Sequence, residues 1–215
     1  MTDRRRLCPG ADFERERQGL LLQARYAVDA GVDLLQIRER DLDAGPLARI
    51  SEDIVRLAEG SRTHVIVNDR LDVALAAGAA GVHLRSDSAA ADTVRAVAPR
   101  PFLIGRSIHG AAEAAEVAGA VDYIIAGTVW VTPSKGSEQP VLGLDGLADV
   151  VRAARVPVFA IGGLTPERLR LVAAAGAAGA AAIGLFMAPQ GAACRAMPLD
   201  GVVNAARAAR VDGGV

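Results

Sequence analysis

The chain has 215 residues, 51% of them hydrophobic, which is enough to bury the core of one large α/β domain. Its formal net charge of −1 does not favour binding to nucleic acid or to an acidic partner surface. An aromatic content of only 3% also argues against a surface on which bases stack.

The sequence predicts a cytoplasmic protein that does not cross a membrane. No apolar run approaches the roughly 20 residues that a membrane helix needs. The polar segment Met1–Arg6 does not have the pattern of a signal peptide. Cys8 and Cys194 lie far apart without the spacing of metal ligands, so we predict free thiols in a reducing compartment.

The first strand candidate is short. Only Met1–Arg4 precedes a polar stretch that extends to Glu16, and this is less than a full barrel strand. Pro9-Gly10 predicts a turn. We therefore expect a truncated first strand.

A unit of helix, Ala-Gly and short apolar strand recurs along the chain. The Ala-Gly steps are Ala30-Gly31, Ala77-Gly78, Ala118-Gly119 and Ala175-Gly176. Glycine at this position ends a helix, and a short apolar run without polar alternation is typical of a parallel strand buried on both faces. Further strands are predicted at His64–Asn68, Phe102–Gly105 and Pro157–Ile161.

Helices are predicted between these strands, at Arg15–Ala30, Pro46–Glu59, Leu71–Ala77, Ala89–Val97, Ala111–Val117, Leu144–Ala153, Pro166–Ala175 and Gly201–Arg210. Alternation of strands and helices favours parallel pairing with right-handed crossovers. About eight such units predict a compact (β/α)8 TIM barrel that forms a single domain over residues 1–215. An open, doubly wound sheet is the alternative, because the strands alone do not demonstrate closure.

Polar residues follow the predicted strand at residues 32–37. Alternation along an extended chain places Gln36, Arg38 and Arg40 on one side, at the mouth of a barrel. Two guanidinium groups suit a diphosphate, because each donates parallel hydrogen bonds to oxyanions. The alternative is a salt bridge between Arg38 and Glu39 on a solvated turn.

Asn68 and Asp69 end the strand predicted at His64–Asn68. Asp69 could hold Mg²⁺, which takes few protein carboxylates and several phosphate oxygens. Equally, it could cap the following helix. His83, inside the next strand, is interpreted as a core imidazole.

The only lysine of the chain, Lys135, lies in a loop with Thr132 and Ser134. One ammonium, two hydroxyl groups and a following glycine suit a phosphate oxygen, although a solvated loop lysine is the alternative. Ser107 follows a predicted strand and could donate a hydrogen bond to a phosphate as well.

Glycines end the last two predicted strands. Gly162 and Gly163 follow one of them, and Ile183-Gly184 end the other. Glycine lets backbone N–H groups approach an anion, and TIM barrels often bind a phosphate at these two loops. We therefore predict one phosphate here and a second anionic group near Arg38, Arg40 and Lys135.

In this order, the motifs resemble those of the thiamine phosphate synthases and the related thiazole tautomerases. The resemblance covers nearly the whole chain, and Thr2-Asp3-Arg4 is similar to the end of the family's first strand. Arg40 stands where the family has a lysine. The matching stretches are Gln36–Arg40, Val67–Arg70, Gly81–Leu84, Ile104–Ser107, Thr132–Lys135 and Ile161–Gly163.

The resemblance implies a cytoplasmic enzyme with small phosphorylated substrates and Mg²⁺, and a homo-oligomer is possible. It implies diphosphate stabilisation by Arg38, Arg40, Lys135 and Ser107. Hydroxymethylpyrimidine diphosphate would also contact Gln36 and Asn68, and Asp69 and Asp87 would be the metal ligands. Thiazole phosphate would contact Thr132, Ser134, Gly162, Gly163, Ile183 and Gly184.

Three positions differ from the family's synthases. Ser88 stands at the second metal carboxylate, with Asp87 one residue early, and Gly184 replaces a serine. Thr128 stands where many synthases have proline and tautomerases have a catalytic histidine, which argues against the tautomerase mechanism. Synthase activity is therefore our prediction. A tautomerase and a non-catalytic barrel that binds thiazole or thiamine phosphate are the alternatives.

Overall fold

The computed structural model describes residues 1–117, 119–132, 141–188 and 194–212. These residues belong to two compact units. Unit 1 comprises Met1–His83 and Phe186–Val203, and unit 2 comprises Leu84–Leu185 and Asn204–Val215. The single domain inferred from the sequence stays a prediction.

Helices and strands alternate in the first part of the chain, as predicted. The elements are α1 (Arg4–Leu7), α2 (Phe13–Asp29), β1 (Leu34–Ile37), α3 (Ala44–Ala58), β2 (His64–Asn68), α4 (Leu71–Ala76) and β3 (Gly81–Leu84). Within unit 1, β1 pairs with β2 and β2 with β3, both in parallel. Most of their apolar residues are buried, and Ile66, Val67 and Val82 are fully buried, as expected for parallel strands.

The alternation continues in the second part. Its elements are α5 (Ala91–Val97), β4 (Leu103–Ile108), α6 (Ala111–Val117), β5 (Tyr123–Gly127), α7 (Gly143–Ala153), β6 (Val158–Ile161), a 3-10 turn (Pro166–Arg168), α8 (Leu169–Ala174), β7 (Gly179–Ala181), a second 3-10 turn (Gly184–Phe186) and α9 (Asp200–Asp212). In unit 2, the strands β4 to β7 pair in parallel in sequence order. Strand β4 extends to Ile108, so Ser107 lies within the strand instead of after it.

The N-terminal residues add a short edge to β1. The Thr2 backbone N–H donates to the Gln36 carbonyl oxygen over 2.9 Å, and the Arg38 N–H donates to Thr2 Oγ1 over 2.9 Å. Helix α1 begins two residues later because Asp3 caps it by accepting from the Arg6 N–H. The short Met1–Arg4 segment thus lies beside β1, as the predicted truncated strand would.

The prediction of free thiols is wrong. Cys8 and Cys194 form a disulfide that joins the end of α1 to the segment before α9. Gly19 of α2 lies against it, and a Cβ atom on Gly19 would come within 2.3 Å of Cys8 Sγ. The two cysteines are 186 residues apart, so only the folded chain brings them together.

No helix in the described part of the chain has both the length and the apolarity needed to span a bilayer.

Candidate active site

Three side chains at the end of β1 differ in their environment. Gln36 is buried, Arg38 is half-buried and Arg40 is exposed. The side chain of Arg40 makes no hydrogen bond or ion pair with any other described residue. Glu39, between the two arginines, is buried. The strand ends at Ile37, so the predicted alternation does not extend to Arg40 as regular strand.

Gln36 joins the ends of β1 and β2. Its Nε2 donates to Asn68 Oδ1 over 2.9 Å, which confirms that these two predicted binding residues lie together. Its Oε1 is buried and has no hydrogen-bond partner among the described residues. A buried acceptor without a donor costs free energy, so this oxygen is suited to an N–H group of a ligand.

A buried ion cluster fixes the backbone at Glu39. The Arg4 guanidinium lies 2.9 Å from Glu16 Oε2, 3.1 Å from Glu39 Oε2 and 2.5 Å from Asp41 Oδ2. The backbone N–H of Arg4 also donates to both oxygens of Glu39. The sequence indicated only a polar segment at Met1–Arg6, and the burial of Arg4 was missed.

Opposing effects act on the carboxyl groups of this cluster. Burial raises the pKa of Glu39, and hydrogen bonds from Thr2 and Arg4 offset that rise only in part. The hydrogen bond from Arg4 lowers the pKa of Asp41, which is more exposed. The guanidinium is thus one of the groups that favour the charged form of the buried Glu39 carboxyl, which lies between Arg38 and Arg40.

Asp69 has an unusual backbone conformation. Its φ is 59°, in the left-handed region, which Asp tolerates better than most residues. Its backbone N–H donates to the carbonyl oxygen of His83 over 2.9 Å. Residues in such conformations are often found at functional sites. The predicted core position of His83 is confirmed, since only 2% of it is exposed.

The two predicted metal ligands fit Mg²⁺ unequally. Asp69 supplies one carboxylate at a strand end, which is sufficient where substrate oxygens complete the coordination. The Asp87 carboxylate, by contrast, is exposed and pairs with the Arg85 guanidinium. Arg106 adds a second cation to the same loop, donating to the carbonyl oxygens of Ser86 and Ala89. No group of three or more candidate ligands occurs among the described residues. Asp69 therefore fits a magnesium site better than Asp87 does, and both ligand assignments stay predictions.

Ser107 and His109 lie near the end of β4. Ser107 is half-buried and is paired in register with Ile125 of β5. His109 Nδ1 lies 2.5 Å from the carbonyl oxygen of Gly127, and its backbone N–H donates to Glu113. The imidazole therefore orients the end of β5, where Thr128 follows.

Gly162 and Gly163 allow a close approach of the chain that follows β5. Their φ angles are 103° and 64°, in the region that favours glycine. A Cβ atom on Gly162 would lie 2.4 Å from Thr128 Cγ2, and one on Gly163 would lie 2.6 Å from Trp130 Cβ. The Trp130 N–H also donates to the Gly162 carbonyl oxygen over 3.2 Å. Glycine is therefore required at both positions, because a side chain would clash with the chain after β5 and because φ is positive.

The backbone at these glycines offers donors to an anion. Among the described residues, the N–H groups of Gly163 and Leu164 have no hydrogen-bond acceptor. Successive N–H groups in such a conformation form an anion-binding nest. The geometry therefore agrees with the phosphate loop predicted here.

The structure adds Trp130 and Arg168 to this loop, and sequence reasoning missed both. The Arg168 guanidinium lies 4.8 Å from the centre of the Trp130 ring. Its Nη1 donates to the Gly163 carbonyl oxygen over 2.5 Å. The one signal in the sequence was that Trp130 is the only tryptophan of the chain.

The remaining predicted residues follow β5 and β7 in the sequence. Thr132 is the last described residue before a gap, and Ser134 and Lys135 lie outside the described residues. Ile183 follows β7, and Gly184 begins the second 3-10 turn.

Comparison with known proteins gives a consistent result. Residues 8–186 match the family described as thiamine monophosphate synthase. A thiamine-phosphate synthase of Methanoregula boonei is 46% identical over 156 residues, which are 72% of each chain. One of Anaeromyxobacter dehalogenans is 39% identical over 192 residues, covering 87% of this chain and 85% of its own.

Solved structures agree. Thiamine phosphate pyrophosphorylase from Pyrococcus furiosus superimposes with a TM-score of 0.77 and 28% identity, covering 97% of this chain and 93% of its own. A 3-hexulose-6-phosphate synthase shares the fold, with a TM-score of 0.65 and 21% identity over 90% of this chain and 94% of its own. The predicted TIM-barrel fold class is thereby confirmed.

Proposed function

Because this chain belongs to the thiamine monophosphate synthase family, we propose that it is a transferase of thiamine biosynthesis. It joins hydroxymethylpyrimidine diphosphate to thiazole phosphate and releases thiamine phosphate and diphosphate. The observation that carries this proposal is the buried Oε1 of Gln36, which has no hydrogen-bond partner among the described residues and lies on the same segment as Arg38 and Arg40.

The end of β1 suits the pyrimidine diphosphate. Gln36 Oε1 accepts a hydrogen bond from the amino group of the pyrimidine, while Asn68 holds the amide in place through Nε2. The guanidinium groups of Arg38 and Arg40 bind the diphosphate oxygens. The family resemblance adds Ser107 and Lys135 to these contacts.

The reaction breaks one bond and forms another at the methylene carbon of the pyrimidine. The C–O bond breaks and the diphosphate leaves with the electron pair, which gives a methylene cation. The thiazole nitrogen then supplies its lone pair to form the C–N bond. Positive charge from the two arginines and Lys135 stabilises the departing diphosphate, and preorganised charge of this kind is usually the largest catalytic contribution.

Mg²⁺ is proposed as the cofactor, held by Asp69 and by substrate oxygens, and it would neutralise charge on the diphosphate. The backbone of Asp69 holds the carboxylate in place through the bond to His83. Asp87 is not part of this proposal, because Arg85 occupies its carboxylate.

The glycine loops suit the phosphate of the thiazole. The open N–H groups of Gly163 and Leu164 donate to its oxygens, and Gly162 lets them approach. By family resemblance, the thiazole phosphate also contacts Thr132, Ser134, Ile183 and Gly184. A cytoplasmic location and a possible homo-oligomer are further proposals.

A synthesis assay tests the proposed function. Purified protein is incubated with both phosphorylated precursors and Mg²⁺, and thiamine phosphate and diphosphate are quantified. Equal amounts of the two products are expected. Absence of product with retained ligand binding would reject the synthase and favour a non-catalytic barrel. Conversion of a thiazole tautomer alone would favour the tautomerase.

A matched pair of variants links the activity to the site. Arg40→Gln removes a proposed diphosphate contact, and turnover is expected to fall by roughly tenfold or more, as for a lost charge-assisted hydrogen bond. Arg25→Gln removes another exposed guanidinium, from α2, and serves as the control. Equal activity of the two variants would contradict the proposed role of Arg40.

A further inference from the structure

We propose that Arg168 is an additional phosphate-recognition residue, held by Trp130, that makes the enzyme select phosphorylated over unphosphorylated thiazole. This inference rests on the proposed function and deepens it. It concerns residues that the sequence motifs did not identify, at the loop formed by Gly162 and Gly163.

Two contacts hold the guanidinium at this loop. Its Cζ atom lies over the Trp130 ring, 4.8 Å from the ring centre, where a cation is attracted to the aromatic face. Nη1 donates to the Gly163 carbonyl oxygen over 2.5 Å. An arginine held at two points loses less freedom when it binds a ligand than a mobile surface arginine does.

Most of the donors of Arg168 remain available. A guanidinium has five N–H groups, and within the described residues only one hydrogen bond from this side chain is formed. Its side chain forms no salt bridge with a carboxylate there either. Among the described residues no carboxylate lies within salt-bridge distance of this guanidinium, whereas Arg85 pairs with Asp87.

The guanidinium and the backbone donors lie next to each other. The position that a Cβ atom would take on Gly163 is 3.2 Å from Arg168 Nη1. The N–H groups of Gly163 and Leu164, which have no acceptor among the described residues, belong to the same turn. A phosphate dianion bound by these N–H groups would thus meet a planar cation that can donate two further hydrogen bonds.

Steady-state kinetics test the inference in a way that separates the two substrates. For Arg168→Met, the KM for thiazole phosphate is expected to rise by roughly tenfold to a hundredfold, the cost of a charge-assisted hydrogen bond. The KM for the pyrimidine diphosphate is expected to stay within about twofold. Arg168→Lys keeps the charge and is expected to recover part of the loss. The wild-type preference for thiazole phosphate over hydroxyethylthiazole falls by the same factor in Arg168→Met.

Arg170→Met is the matched control, because Arg170 is an exposed arginine of the adjoining helix α8. Its KM for thiazole phosphate should equal that of the wild type. The inference is overturned if Arg168→Met behaves like this control, or if the KM values of both substrates rise together.

A binding measurement keeps the test independent of the proposed function. Thiazole phosphate is titrated into wild type, Arg168→Met and Trp130→Leu by calorimetry, without the second substrate. Weaker binding to both variants supports the inference even if the wild type forms no thiamine phosphate. Equal binding to all three proteins, or no binding to the wild type, overturns it. Failure of synthesis alone would refute only the proposed function.

Discussion

Replacing Arg4 by methionine tests whether the buried ion cluster stabilises the protein. The side chains of Arg4 and Glu39 are 3% and 2% exposed, and that of Glu16 is 9% exposed. Removing the guanidinium leaves two buried carboxylates without their partner, whereas Asp41 keeps Arg5. Breaking such a buried pair costs about 3–5 kcal/mol of unfolding free energy.

Arg5→Met is the matched control. Arg5 also contacts Asp41, over 2.8 Å, but its side chain is 67% exposed. Exposed ion pairs contribute less than about 1 kcal/mol, so this variant should unfold almost as the wild type does. Both substitutions remove a guanidinium from Asp41, but only Arg4→Met also removes the partner of the buried Glu16 and Glu39.

The cost of Arg4→Met should depend on pH. Burial already raises the pKa of Glu39 above 4.5, and loss of Arg4 removes a group that lowers it. A carboxyl whose pKa is raised by folding contributes stability below its unfolded pKa, and that stability is lost as pH rises through the folded pKa. The difference between variant and wild type should therefore grow as pH rises above 4.5.

Urea unfolding followed by circular dichroism, at several pH values from about 4 to 8, measures these differences. The double variant Arg4→Met/Glu39→Gln lacks one of the two orphaned charges and should lose less stability at neutral pH than Arg4→Met alone. A cost for Arg4→Met no larger than that of Arg5→Met, or one that does not change with pH, would refute the reasoning.

Three further predictions concern other parts of the chain. Asp69→Asn keeps a residue that tolerates positive φ but removes the charge. Turnover should therefore fall at least roughly tenfold while the melting temperature stays the same. A matching loss of turnover and of thermal stability would indicate a structural role. Reduction of the Cys8–Cys194 disulfide should lower stability by about 2–4 kcal/mol, and a Cys8→Ser/Cys194→Ser variant should not respond to reductant. Gly105→Ala should lower the free energy of unfolding by about 1–3 kcal/mol, because the added Cβ would lie 2.1 Å from the Tyr123 ring. Gly110→Ala is the control and should be tolerated, because no atom lies within 4 Å of its added Cβ.

Local signals were sufficient for much of the fold. The apolar run at residues 64–68 predicted β2 with its observed ends, and the Ala-Gly steps correctly marked several helix ends. These signals depend on neighbours within one or two turns, so they can be recognised without the fold. The strand ends also located Gln36 and Asn68, because parallel strands bring their carboxyl ends to one edge.

Only the tertiary structure decided the pairings between distant residues. Arg4 meets Glu39 across 35 positions, and Cys8 meets Cys194 across 186. Trp130 and Arg168 likewise come together only when the segment after β5 lies against the loop after β6. A side chain's burial and its charge partner depend on which elements pack together, and the periodicity of a single segment contains no information about that.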